Sequence, residues 1–181
     1  MGTADRHQAA AEVVEVILLR RFLVFQAFLL WQGGFLFYAA VVVPVGTNFL
    51  QSASLQGMIT QKVTHWLNIF GAVWIVLFAW DAFAAFDPSR WQRRCRQIGV
   101  AVCLALLVGL CWLHSELDAY IDFDLERVTD KRTFRNWHIA YLWVSTAHWV
   151  IATVLAALTL RAWRAADRTI PATISPTKDA P

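Results

Sequence analysis

The residues best equipped for chemistry in this 181-residue chain are its five histidines, side chains that change charge near neutral pH and bind metals through a neutral ring nitrogen. Three of them sit beside tryptophans, as His65-Trp66, Trp112-Leu113-His114 and Trp137-His138, at corresponding ends of three separate apolar blocks. Glu116, Asp118 and Asp122 follow His114 closely. Imidazole with carboxylate suits zinc, copper or ferrous iron, and two opposed imidazoles could bracket a haem. His65, His114, His138 and Glu116 are therefore the candidate metal set, and Cys111, one turn before His114, adds a sulfur suited to copper. No His-x-x-x-His or His-x-x-Glu motif fixes two ligands on one helical turn. The competing reading, which we favour, is three histidines without a ligand.

His148 is placed differently. It follows His138 by ten residues, about 15 Å along a helix. His138, Tyr141, Ser145 and His148 share one face at about 100° per residue, which predicts a polar stripe. Its functional reading is a relay or a buried ligand. The structural reading is a histidine hydrogen-bonded to a neighbour such as Gln26, Gln32 or Tyr38. Asp81 is the one acid inside an apolar block. Pairing with Arg96 or Arg161 is the expectation, and ion transport the alternative.

The elements that position these groups follow from composition. Apolar residues make up 58% of the chain and charged residues 16%, with ten Trp and twelve Phe. Soluble domains have about 45–50% and about 25%, so a soluble enzyme, a disordered chain and a disulfide scaffold all fit poorly. Four blocks approach the roughly 20 apolar residues that cross a bilayer. They lie at about 22–43, 66–86, 98–113 and 139–160. Backbone polar groups cannot stay unpaired in lipid, so the blocks should be helices. The expected fold is all-α, a polytopic four-transmembrane-helix bundle, with the lipid bilayer as its first partner.

Around this domain, taken as 22–163, residues 1–21 form an amphipathic lead-in that either lies on the membrane or extends span one. Pro44 and Gly46 are expected to close span one, with a polar connector over 47–61. Leu117, Tyr120, Ile121, Leu125 and Val128 have the spacing of an amphipathic helix continuing span three. Residues 164–181 read as a disordered tail. Gly33 and Gly34 offer a surface for close helix packing.

Basic residues orient such a bundle. Cytoplasmic termini place Arg6, Arg20, Arg21, the Arg90–Arg96 cluster, Arg161, Arg164, Arg168 and Lys178 inside, which is eleven of the sixteen. The net charge of +3 comes mainly from these loops and gives no reason to expect nucleic acid as a partner. A bacterial inner membrane, with both termini cytoplasmic, is the expected location.

The run Trp31-Gln32-Gly33-Gly34-Phe35-Leu36-Phe37-Tyr38, continued by Val41-Val42-Val43-Pro44, resembles the first span of a group of small bacterial membrane proteins of unknown function, similar to the transmembrane-205 type. Phe134-x-x-x-His138-x-x-Tyr141, then Ser145 and Trp149, resembles that group's last helix. The layout is also similar to copper-resistance-D-like proteins, a resemblance that implies copper handling. The sequence favours a non-enzymatic membrane bundle, or a subunit that packs against itself or other membrane proteins. The alternatives are a metal- or haem-binding protein and a proton or ion carrier.

Overall fold

A computed structural model describes residues 3–50, 52–85, 89–122 and 127–169. The described chain is almost wholly helical: α1 (Thr3–Phe37), a π-helical stretch (Tyr38–Val42), α2 (Val43–Leu50), α3 (Ala53–Ala84), α4 (Arg90–Asp118) and α5 (Lys131–Thr169). A minimal antiparallel hairpin, β1 (Ile121–Asp122) and β2 (Arg127–Val128), precedes α5. The four long helices alternate in direction. The start of α1, the α3–α4 link and the end of α5 therefore share one end of the bundle, here called basal. The α2–α3 link and the hairpin form the apical end.

Leu55–Ala84, Arg90–Asp118 and Lys131–Thr169 are long and apolar enough to cross a membrane. Large apolar side chains such as Val76, Ile98, Val108 and Trp143 face outward on them, each more than 60% exposed. Soluble monomers rarely carry such a surface, and a lipid-facing bundle needs one. The first long helix is less apolar than these three. It starts in the charged lead-in, which is continuous with it rather than a separate surface piece, and it carries Arg20 and Arg21.

Several boundaries differ from expectation. Pro44 does not end the first helix. It lacks an N–H, and its ring presses on the carbonyl four residues back. The backbone answers by widening into the π-helical stretch, where Val43 N–H donates to the Tyr38 carbonyl, and then resumes as α2 through Gly46 to Leu50. The polar connector is thus mostly helix, and the Ser52 side chain caps α3 by accepting from Leu55 N–H at 3.4 Å. Span three stops at Asp118 instead of continuing as an amphipathic helix, because the chain turns there into the hairpin. Leu125 and Glu126 lie outside the described residues. Residues 164–169, expected in a tail, complete α5, and 170–181 lie outside the described residues.

Two sets of contacts hold the helices together below the apical end. In the basal half and at mid-depth, Val24, Phe28 and Trp31 of α1 pack on Trp74 and Phe78 of α3, with Cys103 and Leu107 of α4 and Ala152 and Leu155 of α5. Trp31 stacks on Trp74 at 5.2 Å between centroids. The tight approaches fall at Gly71, where a Cβ would stand 3.1 Å from Trp31 Nε1, and at Gly99, where it would stand 3.0 Å from Leu155. At Gly33 a Cβ would meet nothing within 4 Å, and at Gly34 only Leu67 at 3.5 Å.

The second set is polar and basal. Asp81, wholly buried, lies 2.9 Å from Arg20 Nε, accepts from Arg96 Nη2, and accepts from Trp163 Nε1 at 2.9 Å. Arg96 Nε donates to Thr159 Oγ1 at 3.2 Å. One carboxylate thereby joins α1, α3, α4 and α5. Arg96 matches the expected partner. Arg161 does not, since it is exposed, and Arg20 takes that place. Nearby, Arg21 makes a bidentate pair with Asp167 at 2.8 and 3.0 Å and lies over the Trp163 ring at 5.4 Å.

Removing one member of a buried ion pair strands the other, at a cost of about 3–5 kcal/mol. Asp81→Leu should therefore lower thermal stability in detergent by that order. Asp81→Leu with Arg96→Met should recover much of it, because no charge is then left buried at Arg96. Arg21→Ala, at a partly exposed pair, should cost under about 1 kcal/mol. Equal losses for all three variants would contradict the network. At the other end of α5, Asp130 Oδ1 accepts from the N–H groups of Arg132 (3.0 Å) and Thr133 (3.2 Å), and its Oδ2 accepts from the Thr133 hydroxyl. These bonds hold the Asp130 carboxyl below the usual range. A lowered folded-state pKa gives stability that is present above the unfolded value and lost as pH falls through the folded one. Asp130→Ala should therefore speed amide exchange at Arg132 and Thr133 at neutral pH, and the difference from the native chain should shrink in acid.

Candidate functional site

Above the aromatic core the helices separate around a cavity of about 720 Å³. Its floor is Trp31 and His148, and its mouth is set by Thr47, Gln56 and Asp118. One wall is apolar, with Phe35, Ala39 and Val43 from the first helical rod, Ala39 belonging to the π-helical stretch. The facing walls carry polar stripes. On α3, Thr60, Thr64 and Asn68 recur every fourth residue. On α5, His138, Tyr141, Ser145 and His148 recur at three- and four-residue steps, and Tyr141, Ser145 and His148 are buried. A concave, largely apolar space with a few convergent polar groups is the usual form of a small-molecule site.

The polar groups differ in what they bond. Tyr141 OH donates to Asn68 Oδ1 at 3.4 Å, and the Thr64 hydroxyl donates to the Thr60 carbonyl at 2.8 Å. At the apical mouth, His114 Nε2 lies 3.1 Å from the Gln61 carbonyl and Nδ1 lies 3.3 Å from Asp118 Oδ2. Gln61 Nε2 donates to Asp118 Oδ1 at 2.5 Å. His148 stands apart. It is 1% exposed, set against Trp31 at 4.8 Å and Trp74 at 6.0 Å between centroids, and its Nε2 has no hydrogen-bond partner among the described residues. Two of the neighbours expected for it bond elsewhere or face away: Gln32 Nε2 donates to Thr153 Oγ1 at 2.9 Å, and Gln26 is exposed. The third, Tyr38, lines the same cavity, buried, with its hydroxyl also without a hydrogen-bond partner among the described residues.

The three tryptophan-flanked histidines do share the apical end. His65 and His114 have ring centroids 6.0 Å apart. His138 stacks instead on Phe134 at 6.1 Å and lines the cavity from α5. Glu116 is half-buried on α4 and lines neither the cavity nor the small cleft holding His65 and His114. Among the described residues no group of three or more His, Cys, Asp or Glu could hold a metal ion. His114 is committed to Gln61 and Asp118, so it joins α3 to α4. Asp81 belongs to the basal network and not to the α5 stripe.

Sequence reasoning found the α5 stripe and missed its partners. The four-residue recurrence of Thr60, Thr64 and Asn68 was the available signal for the α3 stripe. For Arg20, the signal was its position at the edge of the first apolar block.

No family model, curated protein or solved structure matches the chain.

His114→Ala removes two contacts and should cost about 1–2 kcal/mol on the scale of ordinary hydrogen bonds. His65→Ala, exposed, should leave the melting temperature nearly unchanged. Equal destabilisation by the two variants would contradict the assignment of His114 as the apical tie.

Proposed function

We propose that this is an integral membrane protein of four spans, the first helix included, that binds one membrane-dissolved molecule in the apical cavity. The observation that carries the reading is the unpartnered, buried His148 nitrogen at the floor of a space of about 720 Å³. The uncharged run over 22–43 supports the first helix as a span, since its apolar length is merely divided between α1 and the π-helical stretch. The basic residues clustered at the basal end support cytoplasmic termini. The Trp31–Pro44 motif supports membership of the small bacterial membrane proteins of transmembrane-205 type, and with it an inner-membrane location. A binding role is favoured over a proton or ion carrier because the cavity is blind. Val24, Phe28, Phe78, Cys103 and Leu155 fill the space between His148 and Asp81.

Two experiments test this. A ligand that binds only the folded chain stabilises it, by about 2.7 kcal/mol at a hundredfold excess over Kd. Dodecanol should raise the melting temperature of the purified protein saturably. It should not do so in Ser145→Phe, where a ring fills the cavity. An identical response in both would overturn the binding site. For orientation, green fluorescent protein fused after Thr169 should fluoresce, and alkaline phosphatase inserted at Thr129 should be active. The reverse pattern would place the termini outside.

A further inference from the structure

The polar groups of the cavity differ by depth, with the unpartnered Tyr38 hydroxyl on the first helical rod between mouth and floor. At the mouth, His114, Gln61 and Asp118 largely satisfy one another, and Gln56, whose amide is unpartnered, is half-buried close to the apical surface. At the floor, the His148 nitrogen is buried and has no hydrogen-bond partner among the described residues, and a turn of its ring toward the cavity brings it within reach of a ligand. A hydrocarbon tail pushed against it would leave that bond unmade, whereas an oxygen would complete it. Charge is excluded there by surroundings. Trp31, Leu67, Asn68, Tyr141 and Ser145 carry none, and the Asp81–Arg96 pair lies behind the core. An ionised group at this depth would have no counter-ion.

Shape narrows the class further. Trp31 at the floor and Thr47 at the mouth are sixteen residues apart on one helical rod, roughly 24 Å. A volume of about 720 Å³ spread over that length is an elongated slot. It also has a side opening. Among the described residues the hydrogen-bond, ion-pair and ring contacts between α1 and α5, namely Arg21 with Asp167 and Trp163, Gln32–Thr153 and Trp31–His148, lie at or below the floor. Above them Ala39 and Leu142, both exposed, line the cavity from opposite sides of the seam. A molecule dissolved in the bilayer reaches the slot through that seam.

Resting on the binding reading above, we infer that the ligand is a neutral, single-chain amphiphile that seats oxygen-first. Its hydroxyl or carbonyl oxygen meets His148 Nε2, and its chain runs toward the apical mouth along the apolar wall of Phe35, Ala39 and Val43. Either tautomer of the imidazole serves, accepting from a hydroxyl or donating to a carbonyl.

The test compares dodecanol, dodecane and dodecanoate on the purified full chain, by saturable melting shifts, in the native protein and in His148→Leu. Dodecanol should bind about tenfold more tightly than dodecane, the worth of one buried hydrogen bond. Dodecanoate should bind more weakly than dodecanol, and the preference for dodecanol over dodecane should vanish in His148→Leu. The native protein with ¹⁵N-labelled histidine gives an independent reading. The His148 ring resonances should move with dodecanol and stay with dodecane, which decides the matter even if the variant fails to fold. Saturable binding of all three chains with equal affinity, or an unmoved His148 resonance, would overturn the oxygen-first seat and leave the cavity as a binding site. No saturable shift with any chain would overturn the site itself.

Discussion

A carboxylate placed among apolar helices persists only if cations and hydrogen-bond donors meet it, since an isolated ion in such surroundings costs far more than the fold can supply. Asp81 meets this requirement with one partner from each of the three other long helices: the cations Arg20 and Arg96 and the N–H of Trp163. The consequence is geometric. Sliding α1, α4 or α5 by one turn along α3 would withdraw a partner from a buried charge. The network therefore fixes the register of the whole bundle at the basal end, and the aromatic core of Phe28, Trp31, Trp74 and Phe78 stacks on that base.

With register set from below, the apical half need not be closed. α4 and α5 stay together there through Leu110, Leu113, Leu117 and Tyr141, and Trp112 meets Trp137 edge-on at 5.5 Å. α3 is tied to α4 through Gln61, His114 and Asp118. Among the described residues the hydrogen-bond and ring ties between the first rod and α5 end at Gln32–Thr153 and Trp31–His148, and the cavity takes the space above. The π-helical stretch lies at this level, where Pro44 has disturbed the regular hydrogen-bond ladder, and it supplies Tyr38 and Ala39 to the lining. Widened turns of this kind recur at functional sites because they alter which side chains a helix presents.

Much of this was legible in the chain. Long uncharged runs must become helices in lipid, so the all-α architecture followed from composition and block length. The polar face of His138, Tyr141, Ser145 and His148 followed from periodicity alone. Asp81 announced a partner by being the lone acid in its block, yet which arginine supplied it depended on how four helices stack, and Arg20 is 61 positions away in the chain. Helix ends were read least well. Pro44 looked like a terminator because its local effect is to break a bond, whereas the structure absorbs that loss by widening the turn. Leu117 to Val128 kept a helical rhythm of apolar residues, but the helix ends at Asp118, and Ile121 and Val128 are half-buried facing each other across a hairpin instead. Convergence of His65, His114 and His138 could not be judged from depth alone, because equal depth leaves the rotation of each helix free.

The central claim is that a bundle locked at its base holds one amphiphile in its open half. The most direct measurement is anomalous diffraction from crystals of the protein grown with 12-bromododecanol, whose hydroxyl and bromine mark opposite ends of the chain. The account places a single bromine peak in the apical half of the cavity, at the level of Val43 and His138, with the chain leading down to His148. Bromine scattered over the outer faces of the helices, with no peak along the cavity, would contradict it.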